Sequence, residues 1–106
     1  AIGNSDDHFR NHGFVLTSRG WTLSPAYDMN PTLNNCQSLL INSSTNDASL
    51  QILQDSCEEY MIAKNDACVI IEEVRQGVRQ WETLAISLGI SKRERNMFAQ
   101  VYNKTI

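Results

Sequence analysis

Ala67-Cys68-Val69-Ile70-Ile71-Glu72-Glu73-Val74-Arg75-Gln76-Gly77-Val78-Arg79-Gln80-Trp81-Glu82-Thr83-Leu84-Ala85-Ile86-Ser87-Leu88 carries the clearest periodicity in the chain. Within it Ala67, Ile71, Val74, Val78, Trp81, Ala85 and Leu88 recur at spacings of four, three, four, three, four and three. Side chains so spaced fall on one face of an α-helix, because 3.6 residues complete a turn. The stripe predicts one continuous helix of about six turns with its apolar side toward a core. Gly77 lies inside it at a cost of ~1 kcal/mol relative to Ala, which fits a neighbouring helix approaching closely there. The stripe also has the form of a coiled-coil seam. It lasts only about three heptads, however, so a core-facing helix of a bundle is the better reading.

The flanks extend this helical region in both directions. Gly89 follows as a residue suited to the left-handed C-terminal cap. Ser91-Lys92-Arg93-Glu94 is a capping box that opens a last helix through about Tyr102, with Met97, Phe98 and Val101 as its buried side. Upstream, Asp47 is a candidate N-cap for a helix to about Glu59, whose apolar positions are Leu50, Leu53 and Cys57. Residues 48–106 thus read as a helical region without proline, whereas residues 1–47 are rich in Asn, Asp, Ser, Gly and Pro. In that first part Gly13–Thr17 and Trp21–Leu23 are short β-prone runs joined by Ser18-Arg19-Gly20, which predicts a small hairpin ended by Ser24-Pro25. Two strands are marginal alone, so the hairpin must lean on something else. Residues 29–47 carry loop signals, with Leu39-Leu40-Ile41 as a short extended segment. The expected fold is mainly α, a helical subdomain with one small β-hairpin.

Composition narrows the function classes. The chain has 106 residues, 42% hydrophobic and 20% charged, which suits one small globular domain. No apolar run approaches the ~20 residues that span a bilayer, so no membrane partner is expected. Cys36, Cys57 and Cys68 are widely spaced and form no C-x-x-C pair. That pattern argues against a disulfide scaffold or a structural zinc site and predicts cytosolic thiols in a cytoplasmic protein. Asn42 and Asn103 open glycosylation sequons, which carry no meaning in that compartment. The formal net charge is −3, and no Lys/Arg stripe is interleaved with aromatics, so direct nucleic-acid binding is not expected.

The chemistry lies near the N-terminus. Gly3-Asn4-Ser5-Asp6-Asp7-His8-Phe9-Arg10-Asn11 packs acids, an imidazole and amides into a stretch poorly suited to a regular element. After the predicted hairpin, Ser24-Pro25-Ala26-Tyr27-Asp28 holds another acid just past a rigid turn. Phosphoryl transfer from a nucleotide needs a carboxylate to accept the proton of the attacking hydroxyl. It also needs hard oxygen ligands for Mg²⁺. Asp6 and Asn11 have the D-x-x-x-x-N spacing of a kinase catalytic loop, and Asp28 follows a short strand pair as a second metal-binding Asp does. The spacing alone is a weak signal; the order of loop, hairpin and Tyr-Asp adds to it.

Together these two segments resemble the G-N-[ST]-D-x-H-x-x-N loop and the [ST]-P-x-Y-D segment of HipA-type bacterial serine/threonine kinases. The downstream Trp81, Ala85 and Leu88-Gly89-Ile90 also look like that family's C-terminal helices. The resemblance spans essentially the whole chain. It implies the C-terminal lobe of a kinase, with residues 1–47 as catalytic loop, hairpin and metal-binding loop and residues 48–106 as the helical part of the same lobe. It implies a toxin of a toxin–antitoxin pair, or a relative of one, with Mg²⁺ and ATP as cofactor and co-substrate. The implied partners are a protein substrate, an aminoacyl-tRNA synthetase in known cases, and an antitoxin of the HipB type. On this resemblance Asp6 is the catalytic base, Asn11 and Asp28 are metal ligands, and His8, Asn11 and Asp28 lie on the cofactor side. The side-chain oxygens of Asn11 and Asp28 are then expected within ~8 Å of each other without metal, on a concave, acidic surface shared with Asp6. The family's N-terminal lobe, with its phosphate-cradling loop and ATP-contacting Lys, has no counterpart here, so the expectation is a fragment that is inactive alone.

Plainer readings stand beside these. Asp6 serves equally as a turn or capping acid, Asn11 as a turn residue and Asp28 as an Asx-turn before Asn30-Pro31. Asp7 reads as solvated, His8 as a loop brace, and Tyr27, Trp21 and Trp81 as packing residues. A rival enzyme reading sets His8 and His12 on one helix face, with Asp6 or Asp28 completing a metal site. A non-enzymatic reading makes the chain a helical interaction module with the Asp/Asn-rich segment as connector.

Overall fold

A computed structural model describes residues 1–104 of the chain. Strands β1 (Phe14–Thr17) and β2 (Gly20–Leu23) form the expected antiparallel hairpin, with Thr17 opposite Gly20 at its closed end. Gly20 has φ +107°, a conformation open to glycine and strained for residues with a Cβ. Phe14 pairs with Leu23 and Leu16 with Trp21. Alternation along each strand therefore sets these four apolar side chains on one face of the ribbon. That face is open: Phe14 is 68%, Leu16 63%, Trp21 71% and Leu23 60% exposed. Trp21 was expected in the core, and it is not there because no described element packs on the ribbon's apolar face.

Residues 24–49 contain no strand or helix beyond an isolated bridge between Cys36 and Asp47. The extended segment expected at Leu39–Ile41 does not form. Asp47 pairs with Cys36 in that bridge, so Ser49 caps the following helix instead, its hydroxyl accepting from Ile52 N–H at 3.3 Å. Helix α1 (Leu50–Asp55) is shorter than predicted, and a 3-10 turn at Cys57–Tyr60 continues it. Its apolar side matches the sequence reading, with Leu50 and Leu53 half-buried and Cys57 buried.

The long stripe is divided between two helices, α2 (Lys64–Arg79) and α3 (Trp81–Ser87). At the joint the Gln80 N–H reaches back to the Gly77 carbonyl at 3.4 Å, an i−3 bond that tightens the last turn. Gly77 explains the break: it is a poor helix former, and a Cβ there would meet nothing within 4 Å, so no neighbouring helix holds the ladder in line. Beyond the joint Trp81 stacks on Tyr102, ring centroids 4.6 Å apart. Burial follows the stripe unevenly. Ala67 and Ile71 are buried and Val78, Trp81 and Ala85 half-buried, whereas Val74 and Leu88 are exposed.

The stop and start signals after α3 hold in detail. Gly89, at φ +74°, donates to Ile86 O at 3.0 Å while Ile90 N–H reaches Ala85 O at 2.9 Å, the paired bonds of a Schellman cap. Ser91 then caps helix α4 (Lys92–Tyr102) in a capping box with Glu94. Hydrogen bonds from the Ser91 hydroxyl and backbone N–H hold the Glu94 carboxyl below the usual carboxylate range. Val101 is buried and Phe98 half-buried, but Met97, expected inside, is 48% exposed.

The apolar core is small. Cys57, Ala67, Ile71 and Val101 are its buried residues among those described. Gly3 ties the N-terminal loop to it: at φ +69°, a Cβ there would sit 2.7 Å from Val101 Cγ1 and 3.1 Å from Thr32 O. The capping box yields a direct expectation. Ser91→Ala should lower unfolding free energy by about 0.5–2 kcal/mol in urea denaturation, with the loss of helical signal confined to α4 at low denaturant.

Candidate functional site

The segment around Asp6 is held by Ser5, one of two buried polar residues among those described. The Ser5 carbonyl accepts from Ser38 N–H at 2.9 Å and from Ser38 Oγ at 2.7 Å. Its hydroxyl lies 2.8 Å from Thr32 Oγ1 and accepts from Asn34 Nδ2 at 3.2 Å. Thr32 in turn donates its N–H and hydroxyl to Gly3 O at 2.9 and 2.7 Å. The loop after the hairpin therefore clamps the stretch leading to Asp6 from residues more than 25 positions away. Asp6 itself is exposed and makes no hydrogen bond to the described residues. A carboxylate on a fixed backbone with free lone pairs is suited to accept a proton from an incoming hydroxyl.

Asn11 is the second buried polar residue, at 8% exposure. It closes a 3-10 turn, Phe9–Asn11, that begins from extended His8 and ends in extended His12. The Asn11 oxygen accepts from His8 N–H at 3.0 Å, which orients the amide and turns its nitrogen toward Asp28. Asn11 Nδ2 donates to Asp28 Oδ2 at 3.1 Å across 17 residues. The two side chains expected to converge meet through the Asn11 amide nitrogen, while the Asn11 oxygen, the atom a metal would need, faces His8 N–H.

Asp28 is exposed and adopts φ 55°, in the left-handed region that a residue with a Cβ rarely occupies. Local bonds hold it there. Its Oδ1 accepts from Asn30 Nδ2 at 2.9 Å and its carbonyl from Asn4 Nδ2 at 3.5 Å. An Asx-turn would use the Asn30 backbone N–H; the Asp28 carboxylate meets the Asn30 side chain instead, alongside the contact with Asn11. Tyr27, expected to pack, is 46% exposed, and its hydroxyl donates to Arg10 O at 2.7 Å, a second tie between the two segments.

The donor set suits a hard cation. Each Asp28 oxygen accepts one described hydrogen bond and Asn11 Oδ1 accepts one, which leaves lone pairs on all three oxygens. The concave surface is placed differently from expectation. A cavity of about 890 Å³ is lined by Asp7, Asn11, His12 and Tyr27 on one side and by Val74, Arg75 and Val101 on another, but not by Asp6 or Asp28. The rival histidine site is not formed as pictured. His8 and His12 flank a single 3-10 turn rather than sharing an α-helical face, and His12 Nε2 meets Asp7 Oδ1 at 2.8 Å. Among the described residues, no three His, Cys, Asp or Glu side chains are grouped to hold a metal ion.

The family model of the HipA-like C-terminal domain matches residues 1–82. The chain belongs to this family. No curated protein and no solved structure matches it. The matched span of this HipA-like domain contains the Asp6–Asn11 loop, the hairpin, the Tyr27-Asp28 segment, α1 and α2. No helix among the described residues is long and apolar enough to cross a membrane.

Sequence reasoning assigned no role to Ser5, Thr32, Asn34 or Ser38, although the Ser/Thr position of the loop motif falls on Ser5. For the other three the signal was a concentration of hydroxyl and amide side chains in a region read as loop, and distant partners cannot be inferred from such a signal. The two kinds of site residue should separate in stability measurements. Asn11→Ala leaves the His8 N–H without its acceptor in a part-buried setting and should cost about 1–3 kcal/mol in urea denaturation, whereas exposed Asp6→Asn should stay within about 0.5 kcal/mol of the parent.

Proposed function

We propose that this HipA-like domain is the catalytic part of a serine/threonine kinase that transfers the ATP γ-phosphate to a protein hydroxyl. The observation that carries the reading is the Asn11–Asp28 contact, 3.1 Å across 17 residues, in a chain whose Asp6 stands at catalytic-loop spacing from Asn11. Family membership supports it. Asp6 takes the proton of the attacking serine or threonine hydroxyl. Asn11 and Asp28 supply oxygens for Mg²⁺, which when bound neutralises charge on the ATP phosphates. His8 keeps Asn11 oriented through its backbone N–H, on the cofactor side of the loop. Tyr27 and Asn30 hold Asp28 near Asn11.

Phosphoryl transfer depends almost wholly on positioning and electrostatics. This reading also needs a phosphate-cradling loop and an ATP-contacting lysine, the parts of an N-terminal kinase lobe. The protein acts in the cytoplasm as a toxin on a protein substrate, with an aminoacyl-tRNA synthetase as the first to try, and is restrained by a HipB-type antitoxin.

Two measurements test the reading. In the complete kinase, Asp6→Asn should lower turnover ~10²–10⁴-fold with Mg·ATP affinity little changed, because Asp6 is not assigned to the metal. Wild-type turnover in that variant would refute the base assignment. The 106-residue chain alone should show no phosphate transfer; turnover with micromolar Mg·ATP binding would place the active site elsewhere.

A further inference from the structure

The geometry points to Asp7 and His12 as a positioning pair that closes the catalytic loop and holds Asp6 and Asn11 in register for phosphoryl transfer. The inference rests on the kinase reading above and adds two residues to it. Asp7 Oδ1 lies 2.8 Å from His12 Nε2. Each member is the immediate neighbour of a site residue, Asp7 of Asp6 and His12 of Asn11. Between them the loop is a single 3-10 turn, closed by Asn11 N–H to His8 O at 2.9 Å and His12 N–H to Phe9 O at 3.2 Å. One such turn is weak by itself, since fixing its backbone yields few hydrogen bonds. The Asp7–His12 contact bridges the turn from outside.

The two ends are also unequal. His12 has extended backbone and leads through Gly13 into β1, where Gly13 O accepts from Ser24 N–H at 2.8 Å and prolongs the ladder. Asp7 thereby fastens the Asp6 end of the loop to the hairpin end. The imidazole Nε2–H donates to the carboxylate in both the imidazolium and the Nε2–H tautomer, so the contact does not require one charge state. With side chains 49% and 40% exposed, the pair has a modest effect.

The experiment uses the complete kinase with Asp7→Ala, His12→Ala, the double variant and the exchange Asp7→His/His12→Asp. It reads kcat, the KM for Mg·ATP, and hydrogen exchange at the Asn11 backbone N–H. Each single variant should lower kcat roughly two- to fivefold and speed Asn11 exchange. The double variant should fall no further than the deeper single, and the exchange should restore kcat toward the parent. Independent, multiplying losses would overturn the pairing, as would an unchanged kcat or an exchange no better than the double variant. Asp6→Asn separates the two claims. If it abolishes turnover while the Asp7 and His12 variants keep parental kcat, only the pairing fails. If it leaves turnover intact, the base assignment of Asp6 fails and the pairing's role in holding Asp6 fails with it, whatever the exchange rates.

Discussion

Two buried polar side chains, Ser5 and Asn11, organise the half of this protein that has little regular structure. A buried polar group without a partner costs about 1–3 kcal/mol, so each must find donors and acceptors, and both find them far along the chain. Ser5 draws Thr32, Asn34 and Ser38 onto the N-terminal segment. Asn11 draws Asp28 to the loop that contains it. These bonds set the path of residues 24–38, where neither a ladder nor a helix does so. The apolar core, with Cys57, Ala67, Ile71 and Val101 buried, lies mostly under the helices. It reaches the loop half through the close approach of Gly3 to Val101.

The same network explains how Asp28 persists in the left-handed region. A non-glycine residue there costs of order 1–3 kcal/mol and persists where its surroundings over-determine it. Asn4, Asn11 and Asn30 each hydrogen-bond to Asp28, and Tyr27 anchors the preceding residue to Arg10. The positive φ turns the chain sharply just after the strand pair, and the carboxylate meets Asn11 there. Under the proposed function, the strain and the functional contact belong to one arrangement.

Helical reading from sequence succeeded where the determining interactions are local. The Gly89 cap, the Ser91–Glu94 box and the apolar side of α1 depend on residues within seven positions of each other, and all three form. It failed where a neighbour was assumed. The stripe from Ala67 to Leu88 was read as one helix because periodicity does not register a break that preserves the face. Gly77, with open space beside it, lets the chain bend at Gln80. Trp21 and Met97 were assigned to a core on side-chain chemistry, and both are exposed.

The sequence by itself determined the class of the fold, the hairpin with its turn, the helix ends and the identity of the family, because each rests on short-range spacing or on motifs readable in order. The candidate residues Asp6, Asn11 and Asp28 were legible in the same way, as residue types at a spacing joined to a resemblance. Tertiary structure alone decided that Asn11 reaches Asp28, that Ser5 is a hub, that Asp7 meets His12 rather than water, and that the cavity lies beside the candidate residues without including Asp6 or Asp28. Hydrogen bonds in loops have no period to betray them. Their partners are chosen by where burial brings the chain together, and that is a property of the folded whole.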